Sequence, residues 1–147
     1  MWGAIGAYGK TKLYFFEENL NSDVYIKILK SRLKESPITY SSQGFEWKFL
    51  QDGHRAHKEI DDFLREPLGD RLVAHPAMSP DLNPIEDMWS YLDRKVKEAR
   101  VTNISRLKAV LTKEWRALPW TEIRKSVNSM ERRLQMCIES NGNRIPY

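Results

Sequence analysis

The sequence has very little cysteine: Cys137 is the single one among 147 residues. That excludes an internal disulfide framework, offers no cysteine cluster for zinc, and fits a reducing compartment such as cytosol or nucleus. Long hydrophobic runs are missing too. The opening "MWGAIGAYG" is apolar but short, has no positive residue ahead of it, and is followed by Lys10 and Lys12. It reads as a buried strand, not as a signal peptide or membrane span. No internal repeat, low-complexity run or flexible linker breaks the chain, so one domain over residues 1–147 is expected.

What the chain does contain is core material and unevenly placed charge. Five Trp, six Tyr and five Phe within a 41% hydrophobic composition suffice for a packed core and exclude a disordered chain. The net charge of +4 permits nucleic acid as a partner without demanding it. Between Arg94 and Arg133 twelve Lys and Arg face four Asp and Glu, so the remainder of the chain is net acidic. Such helices are by default solvated faces.

Hydrophobic patterning divides the chain into an α/β part, residues 1–83, and C-terminal helices, residues 84–147. Short β-favouring runs from Trp2 to Ala7 and from Lys12 to Phe16, separated by "YGKT" with Gly9 as turn residue, read as a hairpin. "NSDVYIKILKSRLKE" aligns Val24, Ile28, Leu29 and Leu33 as a helix capped by Ser22 or Asp23. The segment "SPITYSSQG" is a loop, "FEWKFLQD" a strand ending at Asp52, "HRAHKEIDDFLREPLGD" a short helix, and "RLVAHP" a second strand. After Pro84 three helices are expected. Their apolar faces are Ile85, Met88, Trp89, Leu92 and Val96, then Ile104, Leu107, Leu111, Trp115 and Leu118, then Ile123, Val127, Met130, Leu134 and Ile138. The last stops at Gly142, which suits a left-handed helix end.

Two acids stand where α/β chemistry is usually placed: Asp52 at the carboxyl end of a strand and Glu86 in the first turn of the helix after the next strand. If those strands are neighbours, both carboxylates approach one point, which suits a hard divalent cation such as Mg²⁺. Each piece also has a plain structural reading. Asn83, Pro84 and Glu86 make a capped helix start unaided, and Asp52 alone is an ordinary turn residue. His54 and His57 lack further ligands at zinc spacing, and His75 is most simply a loop or core histidine.

The combination is more specific. "FLQDGHRAH" followed by "HPAMSPDLNPIEDMW" closely resembles the catalytic core of the mariner-like (Tc/mariner) superfamily of DDE transposases. "MWGAIGAYGKTKLYFFEENLNSDVYIKIL" and "EWRALPWTEIRKSVNSMERRLQMCIESNGNRIPY" are similar to the segments on either side, so the resemblance covers nearly the whole chain. It implies a ribonuclease-H-like fold, with Asp52 as second and Glu86 as third catalytic and metal-holding acid. The first acid and a helix-turn-helix region are implied upstream of Met1, so the chain looks like the catalytic domain with its front cut off and its first strand lacking. Two departures stand out: 33 residues separate Asp52 from Glu86, one fewer than in the closest branch, and Gly53 replaces the usual Asn.

By the same resemblance, the expected activity is DNA strand cleavage and transfer in cut-and-paste transposition, using two Mg²⁺ or Mn²⁺ ions, in the nucleus. Transposon ends and target DNA are the implied partners, together with self-association and no membrane. Arg94, Lys95, Lys97, Arg132 and Arg133 are candidates for holding phosphates. Lacking the first acid, the chain is expected to be inactive alone. The rival reading is a domesticated or relic DNA-binding or interaction module without catalysis.

Overall fold

Alternating side chains over the first sixteen residues fold back as a hairpin in the computed structural model, which describes residues 1–32, 48–52, 60, 64 and 69–147. Strand β1 (Ile5–Gly6) pairs antiparallel with β2 (Gly9–Lys10), Ile5 opposite Lys10 and Gly6 opposite Gly9. Backbone bonds extend the ladder: Thr11 N–H donates to Ala4 O at 2.9 Å, and Trp2 and Tyr14 exchange bonds of 2.7 and 2.8 Å. The turn falls on Ala7 and Tyr8, so Gly9, expected there, instead begins β2. Period-two geometry sends Trp2, Ala4, Tyr14 and Phe16 to one core and Ile5, Leu13 and Phe15 to another.

The first core forms on helix α1 (Ser22–Arg32), whose Tyr25, Ile28 and Leu29 are buried against Trp2 and Phe49. Its cap is Asn21 rather than Ser22 or Asp23, the Asn21 Oδ1 accepting from Val24 N–H at 2.9 Å. Strand β3 (Phe49–Leu50) pairs in parallel with β4 (Leu72–Val73), Phe49 opposite Leu72 and Leu50 opposite Val73. The Lys48 ammonium ties this pair at its base, donating to Asp70 O at 2.9 Å. Among the described residues the two ladders are separate two-stranded sheets, giving a mixed α/β fold with few strands. The expected loop between these elements and most of the helix expected after His54 lie outside the described residues; Ile60 and Leu64 of that stretch are buried in the first core.

The second core belongs to the C-terminal helices: α2 (Ile85–Glu98), α3 (Ile104–Ala117), α4 (Trp120–Asn128) and α5 (Met130–Glu139). Met88, Leu92, Leu111, Trp115, Leu118 and Ile123 fill it. Lys10 joins the hairpin to α3 by donating to the carbonyls of Trp115 at 2.6 Å and Leu118 at 3.0 Å, a cation on a helix C-terminus. In return the Trp115 indole N–H donates to Thr11 O at 2.7 Å.

Three helices were expected after Pro84; the third is divided at Ser129. There one backbone N–H is shared among the carbonyls of Lys125, Ser126 and Val127, and the hydroxyl bonds back to Ser126 O at 2.7 Å. The break changes which side faces inward. Leu134 and Ile138, expected in the core, are 50% and 72% exposed, whereas Arg133 is only 1% exposed. Ile104, at the start of α3, is 69% exposed. Helix α5 ends as expected, with Gly142 at φ 81° and its N–H on Cys137 O at 2.8 Å. Among the described residues no helix is long and apolar enough to cross a membrane.

Candidate active site

Both carboxylates singled out in the sequence follow strands of the parallel pair along the chain, Asp52 after β3 and Glu86 in the helix after β4. Asp52 follows β3 and is exposed; the residue before it, Gln51, accepts from the Tyr25 hydroxyl of α1 at 3.1 Å. Beyond β4 the chain passes through a left-handed, 98% exposed Met78 (φ 56°) and a 3₁₀ turn (Pro80–Leu82) before α2 starts. A non-glycine residue in that conformation costs about 1–2 kcal/mol, and its sequence neighbours gave no signal of it.

Glu86 is the second residue of α2 and half-buried. Asn83 starts the helix: its carbonyl accepts Glu86 N–H at 3.1 Å and its side chain accepts Ile85 N–H at 3.4 Å. The reciprocal bond of a capping box, from Glu86 back to Asn83 N–H, does not form. That N–H is already committed to Pro80 O at 3.0 Å, within the 3₁₀ turn. The Glu86 carboxylate is therefore not consumed by the cap.

Burial raises the Glu86 carboxyl above its ordinary range, and the negative charges of Asp52 and then Asp87 raise it further. The charges of Asp52 and Glu86 thus oppose one another, a repulsion that a divalent cation would relieve.

The other acids of the motif are structurally committed. Asp81 is buried and accepts Ile145 N–H on Oδ2 at 2.9 Å. Asp87 Oδ2 receives Arg133 Nη2 at 2.5 Å and the Ser126 hydroxyl, which also contacts Pro84 O at 2.9 Å. Arg133 therefore corrects the sequence reading, which placed it against DNA. Its guanidinium is buried, with Nη1 on Asp81 O at 2.9 Å and Nε on Ser129 Oγ at 2.8 Å, so its donors are spent inside the protein. The periodic pattern concealed this, because Arg133 lies beside an exposed Arg132 in a run of surface charge.

Arg94, Lys95, Lys97 and Arg132 keep surface positions. Lys95 meets Glu98 at 2.7 Å, Lys97 meets Asp93 at 2.5 Å, and Arg94 lies 4.0 Å from Glu98 and over the Tyr91 ring. Exposed pairs of this kind are worth little.

Among the described residues no three His, Cys, Asp or Glu side chains form one metal-ligating group. Asp52 and Glu86 supply hard oxygen donors, which suit a Mg²⁺ ion that keeps several waters better than an all-protein cage. The chain is thus a mixed α/β protein with one acid just after a parallel strand and another in the first turn of the helix that follows the partner strand. The chain belongs to the DDE superfamily endonuclease family, which it matches over residues 1–108. Along its whole length it is 33% identical to the Transposable element Tc3 transposase of Caenorhabditis elegans, covering 45% of that protein. It is also 30% identical to the Transposable element Tcb1 transposase of Caenorhabditis briggsae and 29% to the Transposable element Tc1 transposase of Caenorhabditis elegans, covering 54% of each. The chain spans about half the length of these relatives.

Proposed function

We propose that this chain provides two carboxylates, Asp52 and Glu86, of a metal-dependent centre for DNA strand cleavage and transfer in transposition, acting in the nucleus. The observation that carries the proposal is the placement of Asp52 directly after β3 and of a half-buried Glu86 in the first turn of α2, the helix that follows the parallel partner β4. Membership of the family and similarity to three transposases support the reaction class. A ribonuclease-H-like frame agrees with a hairpin, a parallel pair and helices in that order.

Asp52 and Glu86 would hold Mg²⁺ or Mn²⁺, which when bound activates a nucleophile and stabilises a leaving oxygen in phosphodiester chemistry. The protein's own part is positional. Tyr25 steadies the end of β3 through Gln51, and Asn83 fixes where α2 begins and hence where Glu86 sits. Arg94, Lys95, Lys97 and Arg132 hold the phosphates of transposon-end and target DNA, and copies of the chain associate when both ends are held.

Because the described residues bring no third His, Cys, Asp or Glu to this pair, the proposal includes that these 147 residues do not cleave DNA by themselves. The test is incubation of the 147-residue protein with labelled transposon-end DNA in Mg²⁺ or Mn²⁺. No cleavage or joining is expected. Metal-dependent nicking that disappears in Asp52→Ala would overturn the inactivity while supporting the site.

A further inference from the structure

The C-terminal tail reaches back to the 3₁₀ turn that precedes α2 and Glu86. Ile145 is buried, and its N–H is held by the Asp81 carboxylate at 2.9 Å. Two residues on, the Tyr147 ring covers the Arg133 guanidinium, with the charged carbon 4.2 Å from the ring centre. Beneath that ring, Arg133 spreads its donors over Asp81 O, Asp87 Oδ2 and Ser129 Oγ. Ser126 adds its hydroxyl to Asp87 and to Pro84 O.

These contacts bracket Glu86 in the chain, at positions 81, 84 and 87. Helix first turns lack inward backbone partners of their own, so ties from outside fix their orientation. A buried guanidinium is also a costly means of stability alone, since apolar residues of similar volume often serve as well. Its fork suits one task that an apolar side chain cannot perform: gripping two points of a turn at fixed separation.

We infer that Arg133, sealed by Tyr147 and backed by Ser126, is a positioning residue that fixes the first turn of α2 and so aims Glu86 at Asp52. This inference rests on the reading of Glu86 as a site residue. Its structural core, that Arg133 orders this turn selectively, does not depend on any metal. Arg133 touches neither acid of the pair and acts through Asp81 and Asp87.

Amide hydrogen exchange of the full 147-residue chain without metal tests it, comparing wild type, R133K and Y147A. Lysine keeps the charge and loses the fork; alanine at the exposed position 147 removes only the cover. Expected is exchange at Glu86 and Asp87 N–H faster by tenfold or more in R133K and by severalfold in Y147A. The core amides of Leu92 and Leu111 should change much less. Equal acceleration throughout would reduce Arg133 to a general stabiliser and overturn the inference, as would unchanged exchange at Glu86. If R133K does not fold, Y147A decides alone by the same comparison. A parallel Mn²⁺ titration should show affinity about tenfold lower in R133K, as for residues that orient a ligand from behind. Failure of wild type to bind Mn²⁺ would count against the proposed function and leave the exchange result standing.

Discussion

Trp89 and Trp115 stack with ring centroids 5.4 Å apart and planes 18° from parallel, joining α2 to α3 three residues along from Glu86. Gly3 of the hairpin makes room for this pair. A Cβ at that position would lie 3.2 Å from Trp89 Cη2, 3.3 Å from Trp115 Cζ2 and 3.0 Å from Leu13 Cδ2. Two rigid rings give way poorly, so Gly3→Val should destabilise the protein by about 1–3 kcal/mol, the usual cost of overpacking a filled core. Chemical denaturation measures it. A neutral Gly3→Val would show that hairpin and helices are not packed through this contact.

The pH dependence of stability should carry the mark of Glu86. Its carboxyl is raised in the folded state by burial and by Asp52 and Asp87, above an ordinary value of 4.5. A raised carboxyl contributes stability that is fully present below its unfolded value and lost as pH rises through the folded one. Glu86→Gln removes that loss. In metal-free buffer the variant should melt above wild type at pH 7, and the two should converge below about pH 4. A variant that melts below wild type at pH 7 would contradict the crowding of the acids.

Much of this was legible in the sequence, because local chemistry dictated it. Asn83 and Pro84 mark a helix start, and the local pattern alone puts Asp52 at a strand end and Glu86 in a first turn. The parallel pairing of β3 with β4 meets the condition on which their approach depended, that the two strands are neighbours. What failed depended on distant partners. The capping box was lost because Asn83 N–H serves a 3₁₀ turn, and Arg133 was read as surface because its partners Asp81 and Asp87 lie 46 or more positions away. A hydrophobic period cannot show that a charge has a buried partner, nor that Ser129 breaks the last helix and turns Leu134 outward.

Nucleic-acid binding should separate the surface cations from the buried one. Replacing Arg94, Lys95 and Lys97 together by Gln should lower the slope of log affinity against log salt by about three, roughly one per phosphate contact, with the melting temperature little changed. Arg133→Gln should instead destabilise by about 3 kcal/mol, since it leaves the Asp87 carboxylate without its fork. Filter binding across a salt series and thermal melts give both numbers. An unchanged slope in the triple variant would remove α2 from the DNA-facing surface.

The account stands most directly on whether Asp52 and Glu86 hold a divalent cation together. The measurement is the thermal stability of wild type, Asp52→Asn and Glu86→Gln with and without Mg²⁺ or Mn²⁺ at neutral pH. Wild type should gain about 2.7 kcal/mol at a metal concentration a hundredfold above its dissociation constant, and each variant should lose that gain. Equal stabilisation of all three proteins, or none in any, would contradict the site.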